Sequence, residues 1–186
     1  MRNSDKYHVV LGVTGGIACY KSAAIVSALC KSGINVDVIM TKNAETFITE
    51  QTLRTLSRNL VTRDMFKEPA VWNVEHISLA RKADCFLIAP CTANVIGKIA
   101  GGIADDMLTT TVMATKAPVV IAPAMNDAMY DNPIVQANME KLKGYGYHFI
   151  APHEGVLAYG GTGNGELASV EEIADYVVNL LVPKAE

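Results

Sequence analysis

An α/β fold, a single-domain doubly wound parallel sheet in a Rossmann-like or flavodoxin-like three-layer sandwich, follows from three observations on the 186-residue chain. Short apolar runs alternate with stretches of helical period. Each run is apolar at successive positions, as a strand covered on both faces requires. Polar, glycine-bearing turns follow several runs, at the strand ends where open α/β sheets hold ligands. Right-handed crossovers then place helices on both sides of the sheet.

The elements follow in order. Residues 7–13 are an apolar run that ends at Thr14-Gly15-Gly16, and a helical pattern over 17–31 stops before Gly33. A second strand covers 35–40, a helix 44–56 and a third strand 83–90. Residues 59–74 between them carry no strong pattern and suit a mobile or interface loop. Helices are expected over 93–100 and 104–116, separated by Gly101-Gly102. A fourth strand at 119–122 leads into the segment 123–133, bracketed by prolines. A helix over 134–143, a strand at 148–151, a glycine-rich stretch at 155–165 and a helix at 170–181 complete the pattern. There is no repeat and no linker, so residues 1–186 are expected to form one domain, which at this length buries roughly 70% of its unfolded surface.

Composition narrows the function. The chain is 50% hydrophobic and 19% charged with a net charge of −3, the balance of a globular protein without a basic footprint. Nucleic acid and anionic membrane are therefore not expected partners. The apolar runs are too short to span a bilayer, and no apolar leader precedes the first strand, so a cytoplasmic location is expected. The four cysteines, Cys19, Cys30, Cys85 and Cys91, form no CxxC pair and have no histidine at ligand spacing. Reduced thiols and no metal site are expected.

Three loops carry chemistry. Thr14-Gly15-Gly16 opens a helix, where backbone N–H groups attract phosphate. The dinucleotide fingerprint fails there: Thr14 and Ile17 stand at the second and third glycine positions counted from Gly12. Thr41 and Lys42 occupy the place of a ribose-binding acid. A mononucleotide suits this loop better than NAD, with Thr41, Thr92 and Thr109-Thr110-Thr111 as further hydroxyl donors. Pro90-Cys91-Thr92-Ala93-Asn94 opens the next helix, whose start would lower the pKa of Cys91. A thiol that is structural or lines a cofactor is expected there, rather than a nucleophile. Asp105 and Asp106 suit helix capping better than acid–base work. In the segment 123–133, Asn126 is either a pocket-wall amide or an ordinary cap.

Together, Gly15-Gly16-Ile17-Ala18-Cys19-Tyr20-Lys21, Asn73-Val74-Glu75-His76-Ile77, Pro90-Cys91-Thr92-Ala93-Asn94, the stretch from Gly101 to Thr110 and Pro123-Ala124-Met125-Asn126-Asp127-Ala128-Met129-Tyr130 span most of the chain. In this order they resemble the homo-oligomeric flavin-containing cysteine decarboxylases, and most closely the phosphopantothenoylcysteine decarboxylase branch. The resemblance implies FMN held between subunits of a homotrimer that often assembles into a dodecamer. It implies oxidation of the substrate's cysteine side chain to a thioaldehyde, the electron sink when CO2 leaves. His76 matches the family's base, and Asn126 its carboxylate-binding amide. Gly15, Gly16, Ile17, Thr41, Phe47, Cys91, Thr92, Ala93, Asn94 and Thr109 match its cofactor positions. Met129, Ala158 and Gly160 are expected to join Asn126 around the substrate.

One departure stands in the flap. The family's Ala-Cys-Gly is here Ala158-Tyr159-Gly160, so a phenol, with a pKa near 10 against about 8.5 for a thiol, replaces the usual proton donor. Three activities stay open: decarboxylation of 4′-phosphopantothenoylcysteine to 4′-phosphopantetheine in coenzyme A biosynthesis, with Tyr159 or water as donor; arrest at the oxidised enethiol, as in peptidyl-cysteine decarboxylases of the lantibiotic type; or a non-catalytic FMN-binding regulatory role.

Overall fold

The computed structural model describes residues 7–66, 74–156 and 160–182. The chain opens with β1 (Tyr7–Val13), a 3-10 turn at Ile17–Tyr20, α1 (Lys21–Lys31) and β2 (Ile34–Met40). A second 3-10 turn, Ala44–Thr46, leads into α2 (Glu50–Ser57) and β3 (Val61–Thr62). Then follow α3 (Glu75–Lys82), β4 (Cys85–Cys91), α4 (Ala93–Ala100), α5 (Met107–Ala114) and β5 (Val119–Pro123). The remaining elements are α6 (Asp127–Tyr130), α7 (Pro133–Gly144), β6 (His148–Phe149), β7 (His153–Val156), β8 (Thr162–Glu166) and α8 (Val170–Leu181).

Six strands form one parallel sheet in the order β3-β2-β1-β4-β5-β6. The order reverses between β1 and β4, and that switch point opens a crevice beyond the strands' carboxyl ends. β7 and β8 pair with each other as a separate antiparallel hairpin.

The period-2 geometry of the strands sorts their apolar residues into two cores. Val9, Leu11 and Val13 pack with Ile25 and Leu29 of α1 and with Ile173 and Val177 of α8. Val10, Phe86 and Ile88 point the other way, toward Ile96 of α4, Leu108 of α5 and Met139 of α7. Each large side chain buried this way contributes about 1.5–3 kcal/mol. A Cβ on Gly12 would come to 2.7 Å from Leu108 Cδ1, so α5 packs directly on the β1 backbone.

The α/β class, the parallel sheet and the principal helices agree with the sequence reading, and several elements differ in detail. The unpatterned stretch 59–74 contains β3, which pairs with Val38 and Ile39 of β2. Two residues are too few to show a period. The expected helix over 44–56 is split, because Thr49 caps α2 by accepting from Thr52 N–H at 3.3 Å. α5 begins at Met107 rather than 104, since Asp106 and Thr109 form a capping box there. Within the glycine-rich stretch 155–165, the described residues belong largely to β7 and β8. Among the described residues no helix is long and apolar enough to cross a membrane.

Candidate functional site

A cavity of about 750 Å³ lies over the carboxyl ends of β1, β4 and β5. This is within the range of small-molecule and cofactor sites. Five segments supply most of its wall, and hydrogen bonds knit four of them together. The buried Thr14 hydroxyl, after β1, donates to Pro90 O at 2.8 Å and accepts from Thr92 N–H at 3.1 Å. Ala124 N–H, after β5, donates to Cys91 O at 3.0 Å. Met125 N–H donates to Gly165 O of β8, also at 3.0 Å. The last two are main-chain bonds, which side-chain rotation cannot relax, and the buried Thr14 hydroxyl bridges the first two segments.

Gly15 and Gly16 form the floor beside α1. A Cβ on Gly15 would overlap Asn43, whose carbonyl oxygen lies 2.8 Å from that position, so the loop after β2 packs flat against the glycine. Thr41 reaches the cavity from that loop. Thr92 starts α4 without capping it by its side chain, which leaves its hydroxyl to the cavity; Ala93 and Asn94 follow in the lining. Glycine amides, helix starts and hydroxyls grouped in this way fit a phosphate-bearing mononucleotide.

Asn126 lines the opposite wall and also caps α6: its Oδ1 accepts from Met129 N–H at 3.4 Å. The cap engages the oxygen, so the carboxamide NH2 is the group left for a ligand. Met129 adds a half-exposed apolar side chain beside it.

Charges in the lining are largely paired. Lys21 Nζ lies 2.8 Å from Glu166 Oε1, and the hydrogen bond from Lys21 holds the Glu166 carboxyl below the ordinary glutamate range. Lys98 lies 2.7 Å from Asp105 and 3.3 Å from Asp106. Its hydrogen bond to Asp105 is the first cause of its raised pKa. These paired residues and Met125 were absent from the sequence-based site. Lys21 could have been found, because it lies one helical turn beyond Ile17.

The structure places other expected residues elsewhere. Cys91 is fully buried among Phe86, Ile88 and Val95, and burial pushes its thiol pKa up, opposite to the expected lowering. A register shift between Ile88 and Cys91 breaks the alternation of β4 and turns this residue into the core. Thr109 is buried in the capping box with Asp106. Its neighbours Thr110 and Thr111 bond to Ala104 O and Met107 O. That threonine run therefore supplies no donors to the cavity. Phe47 is exposed, and His76 lies half-buried at the start of α3; neither lines the cavity of one chain. Gly160 is exposed with φ +91° and lies outside the lining, while Ala158 and Tyr159 fall outside the described residues.

A family model described as Flavoprotein matches residues 1–182. The chain is 52% identical over 166 residues to the coenzyme A biosynthesis bifunctional protein CoaBC of Bacillus subtilis, covering 89% of this chain and 41% of that protein. It thus spans less than half of that bifunctional relative. It is 43% identical over 167 residues to a probable phosphopantothenoylcysteine decarboxylase of Streptococcus mutans, covering 89% of this chain and 93% of the relative. The fold superposes with a TM-score of 0.83 on the FMN-dependent cysteine decarboxylase SpaF, at 28% identity, over 97% of this chain and all of that one.

Proposed function

The chain belongs to the flavoprotein family, and we propose that it is an FMN-dependent decarboxylase that converts 4′-phosphopantothenoylcysteine to 4′-phosphopantetheine in coenzyme A biosynthesis. The observation that carries this reading is one cavity with Gly15 and Gly16 on its floor and the donor end of Asn126 on its wall. When bound, FMN supplies the two-electron chemistry that makes the substrate's sulfur-bearing carbon an electron sink. The protein's own residues do the rest. The Gly15-Gly16 amides, with the Thr41 and Thr92 hydroxyls, hold the cofactor phosphate, and Ile17, Ala93 and Asn94 line its bed. The Asn126 NH2 donates to the substrate carboxylate, orienting it without burying it against a full positive charge. Met129 packs beside the substrate. Ala158 and Gly160 flank it, and Tyr159 returns the final proton in place of the family's thiol.

Phe47 and His76 stand outside the cavity of one chain, and this supports a homo-oligomer in which a second copy presents them. In this proposal His76 is the base, the assembly is a trimer or a dodecamer built of four trimers, and FMN lies between subunits. Residues 1–186 act as one flavoprotein domain of a cytoplasmic enzyme.

The test is mass spectrometry of the product from 4′-phosphopantothenoylcysteine with the FMN-loaded protein. Loss of CO2 alone is expected. Loss of CO2 plus two hydrogens means arrest at the enethiol, the second reading, which Tyr159 at the donor position favours. No product with FMN bound points to a regulatory flavoprotein, and a protein unable to take up FMN sinks all three.

A further inference from the structure

The β7–β8 hairpin reaches the cavity through a feature that none of the expected motifs contains. In the pairing of the two strands, His153 faces Glu166 while Glu154 faces Asn164, so Gly165 is a bulge without a partner. A bulge re-aims the side chain that follows it. Glu166 is that side chain: its carboxylate lies across Gly155 of the opposite strand, at a position any Cβ on Gly155 would occupy. It ends 2.8 Å from Nζ of Lys21, the first residue of α1. Both side chains are partly shielded, at 20% and 39% exposed. The hairpin is tied to the body at two further points. Gly165 O accepts from Met125 N–H at 3.0 Å, and His153 Nε2 lies 2.8 Å from Glu172 at the start of α8.

We infer that Lys21 and Glu166 are positioning residues: their ion pair docks the hairpin on the start of α1 and sets the cavity wall that holds Met125 and Asn126. Gly165 makes both the bulge and the bond to Met125, so the pair and the Asn126 wall are two ends of one contact. When the pair is lost, the hairpin shifts from α1, and the segment that carries the Asn126 amide loses its backing. The docking rests on geometry alone, whereas its consequence for turnover rests on the decarboxylase reading.

The experiment compares wild type, Glu166→Gln, Lys21→Glu and the charge swap Lys21→Glu/Glu166→Lys at saturating FMN. Hydrogen–deuterium exchange of the hairpin amides is expected to quicken two- to fivefold in Glu166→Gln, the factor an exposed ion pair supports. Lys21→Glu sets two carboxylates face to face and is expected to quicken it about tenfold or more, while β1 and β2 exchange as in wild type. With 4′-phosphopantothenoylcysteine, Lys21→Glu raises KM about tenfold and leaves kcat within about threefold. The swap brings both readouts back toward wild type. Hairpin exchange unchanged in Glu166→Gln and Lys21→Glu, or a swap no better than Lys21→Glu, overturns the inference. If the wild type turns over no substrate, the decarboxylase reading fails, and the exchange data still decide the docking.

Discussion

Gly165→Ala is the substitution with the clearest structural consequence. A Cβ at this position would overlap the carbonyl oxygen of Met125 and approach its carbonyl carbon to 3.3 Å. Those are backbone atoms held by β5 and α6, so they cannot turn aside as a rotamer does. Forcing a methyl into a packed site costs about 1–3 kcal/mol, and losing the Met125–Gly165 hydrogen bond adds roughly 0.5–1.5 kcal/mol. The total is capped by the free energy of hairpin docking, since the hairpin can lift away instead. A net loss of about 2 kcal/mol lowers Tm by roughly 4–8 °C for a domain of this size. Gly144→Ala is the control: nothing lies within 4 Å of its added Cβ, and it ends α7 without a positive φ. It is expected to stay within about 0.5 kcal/mol of wild type. Calorimetry of both, with hydrogen exchange of the hairpin, checks the reasoning. A Gly165→Ala protein with wild-type Tm and exchange would refute the close approach.

Acid should loosen the hairpin and the α8 start. Glu166, through its bond from Lys21, and Glu172, through its bonds from Ser169, have lowered pKa values in the folded chain. Their stabilisation is therefore full above the unfolded value of about 4.5 and lost as pH falls through the folded one. Tm should be insensitive to these groups between pH 5 and 7 and drop below about pH 4.5, less steeply in Glu166→Gln; equal slopes in both proteins would contradict the pairing. Thiol labelling should separate the cysteines: burial raises Cys19 to about 11 and Cys85 to about 12 and pushes Cys91 up as well, whereas Cys30 is half-buried. In native protein near pH 8 only Cys30 should react readily, and fast labelling of Cys91 would return it to the cavity. Asn126→Asp should keep flavin uptake and the α6 cap but lower kcat/KM at least tenfold, read by the product assay.

Sequence periodicity captured the layered fold because buried parallel strands must be apolar on both faces, and the runs at β1, β4 and β5 are. It missed β3, whose two residues carry no period and are held by pairing with β2. It placed the start of α5 three residues early, because only the geometry reveals which of Asp105 and Asp106 is the cap. At the site, glycine and hydroxyl loops were legible as local backbone chemistry. The positions of Cys91 and Thr109 outside the cavity of one chain share a cause: neither motif shows which way a side chain turns. A register shift decides the first and a capping box the second. The Lys21–Glu166 pair joins positions far apart in the chain, and nothing local in either marks the other.

The two sequence readings of Asn126, helix cap and pocket amide, turn out to depend on each other. An amide free to flip presents oxygen or nitrogen to a ligand with little preference, and the wrong face repels a carboxylate. Here Met129 N–H engages Oδ1, so the cap selects the orientation in which NH2 points away from α6. The short α6 follows from the same residue, because four residues make too little helix to persist without a cap and tertiary support. Aspartate caps equally well, but it has no N–H to give and sets a negative charge against the substrate's own. The pair of properties therefore separates cleanly at this position: what Asn126→Asp retains belongs to the fold, and what it loses belongs to carboxylate recognition.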